Sequence, residues 1–129
     1  MKYFSDEWYD AHKKLLEEAF TKPSNISAEL VEIYENCEDG QTRWIYYRVD
    51  KGQLSDMHRG EGEDTIPKAM FRCFGEFENY MKVMRGELDP KKGIMTKKFR
   101  LEGNMMKAMG MLGVYAKVTE SKKVPGLEF

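Results

Sequence analysis

Hydrophobic residues recur at helical spacing near the start of the chain. The apolar positions run from Trp8 to Ala19 at intervals of three and four, and Ser5 before them is a favourable helix N-cap. This pattern predicts an amphipathic helix over residues 6–20. The polar, proline-containing segment at residues 22–25 then ends it.

Four segments of strand-like composition follow this helix. The first changes its apolar phase after Leu30, which predicts a register slip or a bulge. The second has apolar residues on both faces, which predicts a central strand that is covered on both sides. A polar stretch over residues 59–67 predicts an exposed loop. The four strands are predicted at residues 26–36, 43–50, 53–58 and 68–74.

The second half of the chain returns to helical spacing and then alternates once more. Residues 76–85 predict a second amphipathic helix, which Gly86 ends. Residues 97–102 predict a fifth strand with one face in water, and Asn104 caps a last helix. Beyond Gly113 the pattern fits a strand or a helix.

The order of these elements predicts a single α+β domain over residues 1–129, with a five-stranded sheet and helices packed on one face. A content of 41% hydrophobic and 33% charged residues excludes a disordered chain. The longest apolar runs fall far short of the ~20 residues that cross a bilayer. No secretory signal pattern is visible, so we expect an intracellular, cytoplasmic protein.

The net charge of −1 hides an uneven distribution along the chain. Residues 1–66 carry 8 lysines and arginines against 15 acids, a net −7. Residues 67–129 carry 13 against 7, a net +6. A basic half predicts an anionic partner such as a phosphate headgroup, coenzyme A or nucleic acid. The alternative is that the two halves interleave in the fold and their charges mix.

The densest basic region lies around the predicted fifth strand. Nucleic-acid binding would need aromatic residues between these cations as stacking platforms, and Phe99 alone is present there. The pattern therefore argues against nucleic acid and favours a phosphate-bearing lipid or acyl carrier, or a solvated strand face. The cations are Lys91, Lys92, Lys97, Lys98, Arg100 and Lys107.

Motifs of the common enzyme classes are missing from the sequence, including the serine nucleophile elbow, the phosphate loop and the dinucleotide fingerprint. His12 and His58 are isolated, and no ligand set has metal spacing, so we expect neither metal nor cofactor. Cys37 and Cys73 are too few for a disulfide scaffold and predict two buried small hydrophobes.

Methionine is unusually frequent, with 10 residues, seven of them within residues 81–111. Its flexible, polarizable side chain suits a surface that accepts varied apolar ligands. An ordinary methionine-rich core would give the same composition.

Two parts of the chain resemble the sterol carrier protein-2 family. Residues 86–90, Gly-Glu-Leu-Asp-Pro, match that family's G-x-[LM]-[DN]-P turn after an amphipathic helix. Residues 99–109 match its basic strand, which runs into a G-[ND]-x-x-x-A-[LM] segment. Asp39-Gly40, Trp44 and Lys51-Gly52 supply an earlier match, so the resemblance covers about residues 37–112.

The resemblance implies a non-enzymatic fold with a hydrophobic tunnel between the sheet and its helices. Such a tunnel takes fatty acids, fatty acyl-coenzyme A, sterols and related lipids. Lys91, Lys92, Lys97 and Lys98 would contact a headgroup or an anionic membrane surface. The tunnel-lining residues that it implies are Phe77, Tyr80, Met81, Met84, Phe99, Leu101, Met105, Met106, Met109 and Leu112.

Two further hypotheses remain open at this point. One is an accessory subunit that presents a lipid intermediate to a partner enzyme of lipid metabolism, which the unmatched N-terminal helix and C-terminal tail favour. The other is a small enzyme that uses Cys37 or Cys73 as a nucleophile. The final residues, Leu127-Glu128-Phe129, differ from the Ser-Lys-Leu signal of peroxisomal family members, which again favours the cytoplasm.

Overall fold

The computed structural model describes residues 1–128, in which one α-helix is followed by four strands, two α-helices, a fifth strand and two further α-helices. The helices are α1 (Asp6–Ala19), α2 (Phe77–Met84), α3 (Pro90–Met95), α4 (Met105–Met109) and α5 (Leu112–Ser121). The strands are β1 (Ala28–Glu35), β2 (Arg43–Asp50), β3 (Gln53–Glu61), β4 (Phe71–Glu76) and β5 (Phe99–Gly103). A short 3₁₀ helix spans Glu63–Thr65.

The five strands form one mixed sheet in the order β3-β2-β1-β4-β5. β1 pairs antiparallel with β2 and parallel with β4, and the two outer pairs are antiparallel. This confirms the predicted α+β class with a five-stranded sheet. β1 is the middle strand of the five. β2 lies beside it as an interior strand largely buried on both faces, which confirms the prediction from its two apolar faces.

The phase change along β1 reflects burial of both faces, so the predicted bulge in this strand is wrong. Its pairing with β2 runs without interruption from Ala28 to Tyr34. The irregular register lies between β2 and β3, at Arg48 and Val49. The helices cover one face of the sheet. On the other face, side chains of β1, β2 and β4 form a second apolar cluster, on which Ile66 and Ala69 pack. Its buried members are Val31, Ile33, Trp44, Tyr46 and Phe74.

Element boundaries differ from the prediction where polar residues obscured the pattern. β3 runs to Glu61, so the expected loop at residues 59–67 is shorter. Asp89 caps α3, with Pro90 in its first turn, where only a connection was predicted. The segment after Gly113 is helical, and α5 packs against α1.

The ring of Phe99 lies between two glycines, Gly75 on β4 and Gly93 on α3. A Cβ added to Gly75 would overlap this ring. We therefore expect Gly75→Ala to lower the free energy of unfolding by about 1–3 kcal/mol, the usual cost of overpacking. Urea unfolding followed by tryptophan fluorescence measures it.

Gly113→Ala is the matched control for this variant. A Cβ on Gly113 meets no atom within 4 Å, and the residue is helical. We expect it to raise stability by about 0.5 kcal/mol, because alanine is the better helix former. Equal stability changes in the two variants would contradict the packing argument.

Candidate functional site

A half-open groove of about 580 Å³ lies between the N-terminal segment, the ends of β1 and β3, and α2. This volume falls in the range that holds small-molecule ligands. Its apolar floor is formed by Tyr3, Phe4, Cys37, Phe77 and Met81. Its walls carry charges of both signs, Lys2, Arg43 and Arg85 with Glu38, Asp39, Glu61, Glu78 and Glu128.

Carboxylates engage both arginines of the groove wall. Arg43 bonds Asp39 at 2.5 Å and Glu61 at 3.2 Å. Arg85 bonds Glu78 at 2.7 Å and Glu87 at 3.0 Å. The Arg43 guanidinium also holds the pKa of the Asp39 carboxyl below its ordinary value, by hydrogen bonding. Neither arginine is left as an open site for an anionic group.

Aromatic side chains make the groove floor. The ring of Tyr3 lies 4.0 Å from that of Trp8, and the ring of Phe4 lies 4.8 Å from that of Tyr34, between centroids. Phe77 of α2 completes the set, 5.9 Å from Tyr3. Phe4 has φ +68°, a left-handed conformation that costs a non-glycine residue about 1–2 kcal/mol. The aromatic packing offsets this cost.

A buried ion pair lies in the centre of the interface between sheet and helices. Glu32 of β1 is 0% exposed, and Lys122 after α5 bonds its Oε1 through Nζ at 2.5 Å. The Tyr34 hydroxyl donates to the same Oε1 at 3.4 Å. The Oε2 atom of Glu32 accepts no hydrogen bond from any of residues 1–128. We call Glu32, Lys122 and Tyr34 the central polar cluster.

Tyr3 connects the groove to the central polar cluster. Its ring lines the groove, and its hydroxyl lies 2.7 Å from the Tyr34 hydroxyl. Burial and the nearby Glu32 carboxylate raise the pKa of both phenols well above the ordinary value. Both hydroxyls therefore keep their protons at neutral pH.

His12 lies beside this cluster as a neutral packing residue. Its ring stacks on Trp8 at 5.1 Å, and its Nε2 lies 2.7 Å from the Tyr47 hydroxyl. Burial, together with the charge of Lys122, lowers the pKa of His12 to about 3. At neutral pH the imidazole carries no charge.

Stability should therefore fall in acid because of His12. Its imidazole binds a proton near pH 6.5 in the unfolded chain but only near pH 3 in the folded one, so stability decreases as pH falls below 6.5. We expect the difference in unfolding free energy between the native protein and His12→Gln to shrink by about 2 kcal/mol from pH 6.5 to 5. Urea unfolding at each pH measures it.

Tyr47→Phe serves as the control for this prediction. It removes the hydroxyl that faces His12 but keeps the imidazole, so the native pH slope should persist. Parallel stability–pH curves for the native protein and His12→Gln would contradict the assignment.

The predicted ligand-binding residues do not share one cavity. Phe77 and Met81 line the groove. Tyr80, Met84 and Phe99 are buried in the core, and Leu101 is half-buried. The remaining four, Met105, Met106, Met109 and Leu112, lie exposed on α4 and at the start of α5. Contact of the full set with a ligand stays a prediction.

The predicted headgroup residues are all at the surface. Lys91 and Lys92 lie on α3, and Lys97 and Lys98 lie between α3 and β5, each exposed. Met95, which is also exposed, lies between these two lysine pairs along the chain.

Sequence reasoning missed the groove wall and the central polar cluster. Glu32 offered one signal, a charged residue inside the apolar run Leu30–Tyr34. Lys122 and Tyr3 lie in segments without a matching motif, and no local pattern pairs them with β1. Their roles depend on packing between distant parts of the chain.

The two cysteines are buried free thiols. Cys37 follows β1 and lines the groove, whereas Cys73 lies on β4. Burial raises the pKa of both, that of Cys73 to about 11. Protonated thiols are poor nucleophiles, so this environment does not favour cysteine catalysis.

The described part of the chain holds neither a cluster of metal-ligating side chains nor a helix able to cross a membrane. No group of three or more histidine, cysteine or acidic side chains among residues 1–128 is arranged to hold a metal ion. Over the same residues, no helix combines the length and the apolar character that crossing a bilayer requires.

Solved structures with similar folds include sterol carrier proteins. A crystal structure of sterol carrier protein 2 has a TM-score of 0.73 at 18% identity, covering 94% of this chain and 97% of that one. A solution structure of a conserved hypothetical protein from Thermus thermophilus gives 0.66 at 15% identity, covering 95% and 89%. Palmitated sterol carrier protein 2-like 2 from Aedes aegypti gives 0.51 at 16% identity, covering 86% and 94%.

These three structures share the fold of the sheet and helices described above. No curated protein matches the chain. The model of the SCP-2 sterol transfer family matches residues 17–115. Because that match spans well over half of the sequence, the protein belongs to the SCP-2 sterol transfer family.

Proposed function

We propose that this protein binds a single-chain apolar lipid without chemical conversion and carries it to or from membranes. The observation that carries the proposal is the 580 Å³ groove, with its aromatic floor and a wall of paired charges. Membership of a sterol transfer family supports it, and so does a relative solved in palmitated form.

Burial of an acyl chain supplies enough energy for binding in such a groove. Each methylene removed from water contributes about 0.8 kcal/mol, so a dodecyl chain contributes on the order of 10 kcal/mol before costs. Lost translational and rotational freedom removes a large part of this gain. What remains is the net free energy of binding, of which about 4 kcal/mol corresponds to a millimolar Kd and about 8 kcal/mol to a micromolar one.

The same proposal gives a role to the exposed methionines. Met95, Met106 and Met109 are 81%, 85% and 71% exposed, which is unusual for large apolar side chains. Lysines lie close to them along the chain: Lys91, Lys92, Lys97 and Lys98 on either side of Met95, and Lys107 between Met106 and Met109. We call this the α3–α4 surface, made of Met95, Met106 and Met109 with Lys91, Lys92, Lys97, Lys98 and Lys107. Its apolar tips and cations suit an anionic lipid surface.

Binding of N-phenyl-1-naphthylamine, an uncharged fluorescent probe, tests the groove. We expect saturable binding at micromolar protein, weakened at least tenfold by Met81→Lys, because the lysine charge would enter the apolar floor. The matched control is Met70→Lys, at a 43% exposed methionine that does not line the groove. Failure of the native protein to bind the probe or any added lipid would overturn the proposal.

A further inference from the structure

We propose that the groove selects amphiphiles with a neutral hydrogen-bond-donating head, such as an alcohol or a primary amide, over carboxylates, and that Tyr34 receives this head. The inference rests on the proposed function and names the substrate class of the same site. It follows from the charge of the groove wall, the direction of the hydrogen bonds behind it and the unpartnered oxygen of Glu32.

The wall of the groove disfavours an anion. It carries five carboxylates against three cations. Arg43 and Arg85, the two cations best suited to a carboxylate, are each engaged by two acidic side chains. A carboxylate head would therefore face a wall of net negative charge, and the guanidinium groups of these two arginines are already engaged and not free to bind it.

The hydrogen bonds behind the groove run in one direction. Glu32 accepts, so the Tyr34 proton points inward to Oε1. The Tyr34 oxygen, which is buried and outside the groove lining, then accepts from the hydroxyl of the groove residue Tyr3 at 2.7 Å. Any group that replaces this hydroxyl must therefore donate a proton. An alcohol or an amide does so, whereas a carboxylate does not.

Tyr3 itself has the form of such a ligand, an apolar ring that ends in a hydroxyl. It belongs to the segment before α1, next to Phe4 in its left-handed conformation. A ligand that lies on the floor formed by Phe77 and Met81 would place its head where the Tyr3 hydroxyl lies. Displacement of the Tyr3 side chain then opens the way to Tyr34.

Lys122 does not offset this preference. Its ammonium is bonded to Glu32 at 2.5 Å and lies near the rings of Tyr34 and Tyr80, at 5.6 and 5.2 Å from their centroids. Its charge is thus occupied within the cluster. The second oxygen of Glu32, buried and without a partner among residues 1–128, adds a further acceptor. The cluster therefore presents acceptors to a head that displaces the Tyr3 hydroxyl.

Competition by dodecan-1-ol and dodecanoate for bound N-phenyl-1-naphthylamine at pH 7.5 tests the inference. The two compounds share a chain and differ in the head. We expect the alcohol to displace the probe with at least tenfold higher affinity. Tyr34→Phe should weaken the alcohol about tenfold and leave dodecanoate unchanged, since the ring stays and the acceptor is lost.

A double variant, Glu32→Leu with Lys122→Met, covers the case in which Tyr34→Phe fails to fold. Without Glu32 to accept its proton, the Tyr34 hydroxyl can donate to a ligand as well as accept from one. The ratio of alcohol affinity to dodecanoate affinity should therefore fall. The matched control removes the surface ion pair of Arg72 and Glu102 through Arg72→Met with Glu102→Leu, and should keep the native preference.

Equal displacement by alcohol and acid would overturn the inference while leaving the proposed function standing. A preference for alcohol that survives both cluster variants would also overturn it, because another part of the protein would then be selecting the head. If neither the probe nor either compound binds, the proposed function fails and the inference fails with it.

Discussion

Lys122→Met alone is expected to lower the free energy of unfolding by about 3–5 kcal/mol, the largest effect of a single substitution that we predict. The variant leaves the Glu32 carboxylate at the centre of the sheet, 0% exposed, without its counter-charge. Oε1 would keep the Tyr34 hydroxyl alone as donor. Urea unfolding at pH 7.5, followed by tryptophan fluorescence, measures the change.

The double variant Glu32→Leu/Lys122→Met separates loss of charge balance from loss of packing. It removes both charges, and replacement of a buried ion pair by apolar groups is often neutral or stabilising. We expect most of the stability to return. Lys123→Met, at the half-exposed neighbour that bonds Glu120, should change stability by less than about 1 kcal/mol. A mild effect of Lys122→Met would mean that the carboxylate is compensated in another way.

Replacement of Lys91, Lys92, Lys97 and Lys98 by glutamine is expected to weaken binding to anionic vesicles by roughly a thousandfold. Each lysine near such a surface contributes about 1 kcal/mol, so four contribute about 4 kcal/mol at low salt. Co-sedimentation with phosphatidylserine-containing vesicles measures the affinity. Native binding should also fall steeply with added salt, because screening shortens the reach of these charges.

A control with the same change in net charge tests whether position matters. Lys14, Lys22, Lys51 and Lys68 are exposed outside the α3–α4 surface, and their replacement by glutamine should have a much smaller effect. Equal losses in the two variants would mean that net charge alone drives association. Salt-insensitive binding of the native protein would contradict an electrostatic contribution from this surface.

Local spacing predicted most of the elements. Period-two and period-3.6 patterns require only that one face of each element be apolar, and this information is contained in short segments. Ser5 and Asn104 cap their helices as predicted, and β2 begins and ends where the alternation does. Where both faces are buried, as in β1, the same spacing misled and suggested a bulge.

The candidate site was predictable only in part. Phe77 and Met81 were identified through the spacing of α2 and the family resemblance, and they line the groove. Met106 and Met109 also lie at helical spacing, on α4. They are nevertheless exposed, because few residues of other elements pack against α4. Spacing states which residues share a face but not whether another element covers that face.

The sequence by itself determined the class of fold, the position of most strands and helices, and the family. These depend on the backbone period and on turn residues, which act over a few positions. Only the tertiary structure decided that β1 is central and parallel to β4, and that Tyr3 closes a groove against α2. It also joined Glu32 to Lys122, which lie far apart along the chain, because burial forces a charge to find its partner wherever the fold places one.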